Sequence, residues 1–189
     1  MTTKIGVIAE DNSDVDVINE LVVKISNKEI AIRKFVGHGC GKLRRECHQW
    51  AQNLKGQGCS LLILLHDLDN NDLSQLRAQL SQALHPSPIR SNVIIIPVKE
   101  IEAWLLSDEI AIRAAMNLRV AVKRISNPES VGNPKEYLGR LVEQKSNGTK
   151  HYLNTVHNKR IAALLSLEKL RRCRSFAPLE SFVTENLHR

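Results

Sequence analysis

Four short apolar runs divide the first half of the chain, and between them apolar positions recur every three or four residues. Lys4-Ile5-Gly6-Val7-Ile8-Ala9 and Ser60-Leu61-Leu62-Ile63-Leu64-Leu65-His66 read as buried strands. Ile30 through Val36 reads as a strand rich in branched residues, and Val93-Ile94-Ile95-Ile96-Pro97-Val98 as a fourth. After the first run, Val15, Ile18, Leu21, Val22 and Ile25 carry helical spacing, with Ser13 placed to cap the helix. Leu43, Cys47, Trp50, Ala51 and Leu54 form a second stripe, ended by Gly56-Gln57-Gly58. Leu73, Leu76, Leu80, Ala83 and Leu84 form a third, opened by Asp72 or Ser74 and stopped at Pro86. Strand and helix alternate three times and close on a strand. That order predicts an α/β fold: a four-stranded, mostly parallel, Rossmann-like sheet flanked by helices on both faces. In such a sheet ligands bind beyond the carboxyl ends of the strands.

From residue 100 onward no strand pattern remains. Ile101, Trp104 and Leu105, then Ile110, Ala111, Ala114 and Ala115, have helical spacing, and Pro128 and Pro134 bracket a turn-rich stretch. Helical signals resume at Tyr137–Val142 and Ile161–Leu170, and Pro178 opens a last short helix. The chain thus divides into a sheet-bearing part, residues 1–112, and a helical appendage packed on it, residues 113–189. Charge follows the same division. The first part holds 12 Lys and Arg against 14 Asp and Glu, and the second 15 against 6, so the whole excess of +7 comes from the helical part. A basic half beside an acidic half suits a polyanion such as nucleic acid. Basic residues that simply solvate exposed helices are an equally good alternative.

Composition narrows the class further. Apolar residues make up 42% of 189, enough for a sizeable core, while aromatics are only 4%, so packing falls to Leu, Ile, Val and Ala. The longest apolar runs fall far short of the roughly 20 residues of a membrane span. No secretory leader pattern opens the chain, so a cytoplasmic protein with no membrane partner is expected. Cys40, Cys47, Cys59 and Cys173 lack C-x-x-C spacing and read as buried thiols; His38, Cys40, Cys47 and His48 match no common zinc pattern.

The candidate chemistry is acidic. Asp67-Leu68-Asp69 follows the most apolar strand and sets two hard oxygen ligands at the mouth of the sheet. The first strand runs into Glu10, Asp11 and Asp14, and the fourth into Glu100 and Glu102. Acids at three strand ends suggest one divalent-cation site, for Mg2+ or Mn2+, with Glu10, Asp67 and Asp69 as ligands. Glu100 is the choice for a catalytic carboxylate, as general base or at a second metal position, and Glu102 is a further ligand candidate. The competing role for both is an acidic first turn that complements a helix dipole. Lys135, after Pro134 at a helix start, is a candidate cation for charge developing on a phosphoryl group, or else an exposed surface lysine. Lys169, Arg171, Arg172 and Arg174 form the densest basic run and are candidates for nucleic-acid phosphate contact, against a solvated helix face. His66 has no Ser or Cys partner placed by sequence and reads as a buried strand histidine. No P-loop or dinucleotide glycine pattern is present.

These residues together resemble the TOPRIM superfamily, the catalytic fold shared by topoisomerases, primases and nucleases of the OLD and RloB type. Ile8-Ala9-Glu10-Asp11-Asn12-Ser13-Asp14 is similar to its first motif, with Glu10 matching the Glu after the first strand and Asp14 the second acid of the following helix. Leu65-His66-Asp67-Leu68-Asp69 is similar to its Asp-x-Asp motif. Pro97 through Asp108, containing Glu100-Ile101-Glu102-Ala103-Trp104-Leu105-Leu106, resembles the E-x-E-A/V-W-L-L stretch of small TOPRIM-like proteins of bacterial defence loci. Asn133-Pro134-Lys135 and Arg174-Ser175-Phe176 resemble pieces of that group's downstream pattern. Asp11 departs from the superfamily, which commonly has Gly there, a residue that allows a tight turn close to a metal or phosphate.

The resemblance implies a TOPRIM fold with divalent metal, Mg2+ or Mn2+, held among Glu10, Asp14, Asp67, Asp69 and Glu102. It implies a metal-dependent nuclease that hydrolyses phosphodiester bonds in DNA or RNA, in antiphage or mobile-element defence. Nucleic acid is the implied partner, with a separately encoded ATPase as a further candidate and a homodimer left open. The competing class is a non-catalytic TOPRIM-shaped module that binds nucleic acid or protein.

Overall fold

The structure, a computed structural model, describes residues 3–37 and 40–187, and of Cys40 the backbone alone. His38 and the side chain of Cys40 therefore lie outside the described residues. The alternation expected from sequence is present: β1 (Lys4–Ala9), α1 (Asn12–Ser26), β2 (Ala31–Val36), α2 (Cys40–Gly56), β3 (Leu61–Leu65), α3 (Leu73–Leu84) and β4 (Ser91–Ile95). The strands hydrogen-bond in the order β2-β1-β3-β4, and every pairing is parallel. The remainder is helical: α4 (Glu102–Leu105), α5 (Glu109–Ala115), α6 (Pro134–Lys145), α7 (Asn154–Leu164), α8 (Leu167–Leu170) and α9 (Ala177–Leu187). Among the described residues no helix is long and apolar enough to cross a membrane.

Side-chain alternation along the strands sends two apolar sets to opposite faces. Ile8, Leu62 and Leu64 pack with Leu43, Cys47, Trp50, Ala51 and Leu54 of α2 and with Leu76 and Leu80 of α3. Ile5, Val7, Ala9, Leu61, Ile63 and Leu65 join the other core, which runs without a break through Trp104, Leu138, Ile161 and Phe176 to Leu187. On that face α7 lies along α1, and α9 packs against α1 and β4. A parallel sheet must be covered on both faces, and of the helices between the strands only α1 joins this core. Residues 113–189, expected as an appendage, therefore supply much of the cover that the sheet requires.

Asp11, rather than Ser13, caps α1. Its carboxylate accepts from the Ser13 backbone N–H at 3.2 Å, while the Asp14 carboxylate accepts from the Asp11 N–H at 3.0 Å. This reciprocal capping box satisfies two helix-end donors at once. Asp11 has φ −132° and ψ 157°, ordinary extended backbone, so no glycine is required where the superfamily commonly has one. Asp72 opens α3 by accepting from the Gln75 N–H at 2.9 Å.

One glycine is required by close approach. A Cβ at Gly6 would meet Leu54 Cδ1 at 2.9 Å and Leu54 Cβ at 3.2 Å, where α2 crosses β1. Gly6→Ala is expected to destabilise the protein by about 1–3 kcal/mol through overpacking. In a Leu54→Ala background that penalty should shrink, because the two sites share one contact. Denaturant unfolding of the two single variants and the double variant measures the coupling, and strictly additive losses would contradict it.

Candidate active site

Because all four strands run the same way, the carboxyl ends of β1, β3 and β4 open on one edge of the sheet. Glu10 follows β1 directly. After β3, the N–H groups of His66, Leu68 and Asp69 donate to the carbonyls of Ile95, Pro97 and Lys99 at 3.1, 3.1 and 2.9 Å, so the pairing with the chain of β4 continues past both strand ends. This clamp ends in two left-handed residues, Asp69 at φ 49° and Lys99 at φ 63°. Such a conformation is uncommon for residues with side chains and persists where surrounding bonds over-determine it. Asp67 is fixed separately: its Oδ1 accepts from the Ile101 N–H at 3.0 Å, which ties the Asp-x-Asp to the entry of α4.

Glu102, in the first turn of α4, is only 2% exposed. Its Oε1 accepts from the Tyr152 hydroxyl at 3.2 Å and the Asn158 Nδ2 at 3.1 Å, and the Lys135 Nζ lies 3.9 Å away. The Tyr152 hydroxyl also hydrogen-bonds the Asn158 side-chain oxygen. Glu100 behaves differently. Its Oε2 accepts from the Lys135 backbone N–H at 2.8 Å, at the first turn of α6. Glu100, the catalytic choice from sequence, thus has one carboxylate oxygen on the N–H of a helix start. Glu102 is the acid that enters the buried cluster, with Lys135 held between the two glutamates.

The acids perturb one another. Burial, reinforced by the charges of Glu102, Asp11 and Glu10, raises the Asp14 carboxyl from 3.8 to about 7, against the opposing Asp11 N–H bond. Asp67 is held well above its ordinary range by burial and then by Asp14, Glu102, Glu10 and Asp69. Asp69 is raised by burial and by Glu10. Burial also raises Glu102, against the pull of Lys135 and Asn158. Burial alone would lower Lys135, yet Glu102, Glu100, Asp14 and Asp67 together hold its ammonium more firmly charged than usual. Glu10, Asp14, Asp67, Asp69, Glu102 and Lys135 thus form one electrostatic unit.

His66 sits beneath this unit, fully buried. Its Nδ1 lies 2.6 Å from the Asp67 carbonyl and 2.9 Å from Glu10 Oε1. The carbonyl can only accept, so Nδ1 carries the proton and aims it there. Among the described residues, Glu10 Oε1 is left close by but without a directed hydrogen bond, and His66 Nε2 is buried with no partner. Burial opposes protonation of His66, and the neighbouring Glu10 carboxylate with the Asp67 carbonyl outweighs it. A buried carboxylate oxygen without a donor is costly and signals a missing partner.

Among the described residues no three His, Cys, Asp or Glu side chains form a ready-made metal cage. The donor chemistry nevertheless fits a hard divalent cation. The donors are carboxylate oxygens, one of them is buried without a directed hydrogen bond among the described residues, and their mutual repulsion is what a cation relieves.

The basic run has other work. Lys169 Nζ pairs with Asp108 Oδ1 at 2.8 Å and Glu109 Oε1 at 2.9 Å, and Arg171 pairs with Glu180 at 2.8 Å. Arg172 donates to the carbonyls of Lys169, Ile125 and Ser107. Lys169 and Arg172, candidates for phosphate contact, thus bolt α8 to the segments around residues 108 and 125. Arg174 stays exposed, with its backbone N–H on Glu129. Three residues of the site carried no motif that could have marked them as its members. His66 read as a core histidine, and Tyr152 and Asn158 meet Glu102 only through the docking of α7.

The fold and the acidic edge define an α/β protein whose candidate site lies at the carboxyl ends of a parallel sheet. Its fold is similar to that of the C-terminal region of the Burkholderia pseudomallei OLD protein, at 12% identity and a TM-score of 0.50, covering 97% of this chain and 98% of that chain. Residues 9–184 match the family described as Domain of unknown function (DUF4276), and the chain belongs to that family. No curated protein matches it.

The raised carboxyls set the sign of a pH dependence. A group whose folded value lies above its unfolded one contributes full stability below the unfolded value and loses it as pH rises through the folded value. For Asp14 that window runs from 3.8 to about 7. In EDTA, the midpoint of thermal unfolding should therefore fall between about pH 4 and about pH 7, and Asp14→Asn should flatten that fall. Excess Mg2+ or Mn2+ should raise the midpoint at the upper end, by about 2.7 kcal/mol of stability at a hundredfold excess over Kd. Parallel pH curves for the two proteins would contradict the shift assigned to Asp14.

Proposed function

We propose that the protein is a metal-dependent nuclease of TOPRIM type, acting on phosphodiester bonds of DNA or RNA. The observation that carries this reading is the placement of Glu10, Asp67, Asp69 and Glu102 after the carboxyl ends of β1, β3 and β4 on one edge of a parallel sheet, with Asp14 in the first turn after β1 and Lys135 3.9 Å from Glu102. Glu10, Asp67 and Asp69 would hold Mg2+ or Mn2+, with Asp14 and Glu102 around them. When bound, the ion supplies positive charge for an in-line displacement and acidifies an attacking water.

The chain's own groups perform the rest. Glu10 Oε1, buried beside the His66 imidazole and without a directed hydrogen bond among the described residues, would bind the ion or accept a proton. His66 holds Glu10 from below at 2.9 Å. Lys135, kept charged by Glu102 and Glu100 and still 48% exposed, can meet a phosphoryl oxygen from the solvent side as charge develops on it. The Ile101 N–H fixes Asp67, and Tyr152 with Asn158 fixes Glu102, so neither carboxylate needs to be ordered when substrate arrives. The defence role and a separately encoded ATPase rest on the resemblance to small TOPRIM-like proteins.

A second reading is favoured by one observation, the lack of a ready-made three-residue metal cage among the described residues. In that case the protein is a non-catalytic module that keeps the TOPRIM shape and binds nucleic acid or protein. Cleavage and equilibrium binding on the same labelled DNA or tRNA, at saturating Mn2+ and with any neighbouring ATPase supplied, separate the two. Glu10→Gln is expected to slow cleavage by about 100-fold or more while binding persists, because the amide neither balances metal charge nor accepts a proton. Wild-type protein that binds but never cuts would establish the module, and equal cleavage by both proteins would place the chemistry elsewhere.

A further inference from the structure

With Lys169 and Arg172 bonded internally, the basic excess of the helical part must be presented elsewhere. Two adjoining cavities flank α6. One, of about 350 Å³, is lined by Lys123, Tyr137, Arg140, Leu141, Gln144 and Lys145. The other, of about 490 Å³, has Arg119, Val120, Asn147 and Thr149 on its walls and shares Lys145 with the first. Arg119, Lys123 and Lys145 have no acidic partner among the described residues, and Arg140 makes only an exposed pair with Glu136 at 3.3 Å. No acid lines either cavity. Tyr137, in the first turn of α6, is 37% exposed beside these cations.

Unpaired cations around an exposed aromatic ring have a definite chemical complement. The cations neutralise successive phosphates, and the ring offers a face on which an unpaired base can stack whatever its sequence. A duplex keeps its bases stacked inward and gains only the charge. We infer that the groove along α6, from Tyr137 to Lys145 and the 119–123 segment, binds single-stranded nucleic acid. Its role as the substrate track rests on the nuclease reading; the binding itself does not. Lys135 belongs to the same first turn as Tyr137 but projects about 200° away around the helix, so a strand stacked on Tyr137 crosses the amino-terminal turn of α6 to reach the acidic cluster.

The test is fluorescence anisotropy of the full chain with labelled single-stranded DNA and RNA and with a duplex of equal length, in EDTA at several salt concentrations. Lys123→Ala combined with Lys145→Ala should weaken single-strand binding about tenfold or more and reduce the salt slope by about 1.4, two contacts at about 0.7 each. Tyr137→Ala should weaken single-strand binding about fivefold or more, with the slope and duplex binding unchanged, while Tyr137→Phe retains affinity. Lys55→Ala, exposed on α2 against the opposite face of the sheet, should change nothing. All four changes fall on exposed or half-buried side chains, and unchanged circular dichroism shows that each variant folds. Wild type that fails to bind single strands, a double variant with unaltered affinity and slope, or equal losses in Tyr137→Phe and Tyr137→Ala would each overturn the groove. Binding by this groove in a protein that never cuts with Mn2+ would uphold the inference and remove the nuclease reading; cutting by a protein whose groove variants bind normally would do the reverse.

Discussion

The parallel direction of β1, β3 and β4 is the constraint from which the site follows. An antiparallel neighbour would send its terminal residues to the opposite edge, whereas here Glu10, Asp67, Asp69 and Glu102 all emerge on one. The clamp between the chains following β3 and β4, ending at the Asp69 N–H to Lys99 carbonyl bond of 2.9 Å, carries this convergence beyond the sheet. Its result is a group of like charges in a poorly solvated place. Like carboxylates so placed cannot all ionise without a compensating cation.

The rest of the molecule manages that repulsion. The Asp11 N–H holds Asp14, the Ile101 N–H holds Asp67, and Tyr152 with Asn158 holds Glu102. Lys135 brings one positive charge to the rim, and His66 approaches Glu10 from the core. These devices lessen the penalty without removing it, which is why Asp14, Asp67, Asp69 and Glu102 remain hard to ionise. Strain concentrated where chemistry is expected is a common arrangement in functional sites. The helical part contributes directly, since α6 supplies Lys135 and α7, with the residues just before it, supplies Asn158 and Tyr152.

The strands, their order of appearance and the helical stripes were legible because apolar periodicity is local information. Leu61–Leu65 is apolar throughout and is buried on both faces; the stripe of α2 is buried along its length. The Asp-x-Asp was legible for the same reason, since a strand end and its acids are contiguous in sequence. What escaped depends on tertiary docking. Tyr152 lies 50 residues from Glu102, and nothing near either position announces their bond. Glu100 was chosen ahead of Glu102 because nothing in the sequence shows that α6 places the Lys135 N–H on the first. Charge density in sequence likewise does not reveal that Asp108, Glu109 and three carbonyls lie within reach of Lys169 and Arg172. Asp11 looked like an obstacle in place of glycine, and its extended backbone makes it a helix cap instead.

The proposed cation would relieve that repulsion, and whether it binds at this edge can be tested directly. Crystals of the protein grown with Mn2+ and measured near the manganese absorption edge should give an anomalous peak about 2.0–2.5 Å from carboxylate oxygens of Glu10, Asp67 and Asp69. Asp67→Asn crystals grown in the same way should lose most of that peak. No peak at the carboxyl ends of β1 and β3 in the wild-type crystals, or a peak only at some other surface, would contradict a metal centre at this edge of the sheet.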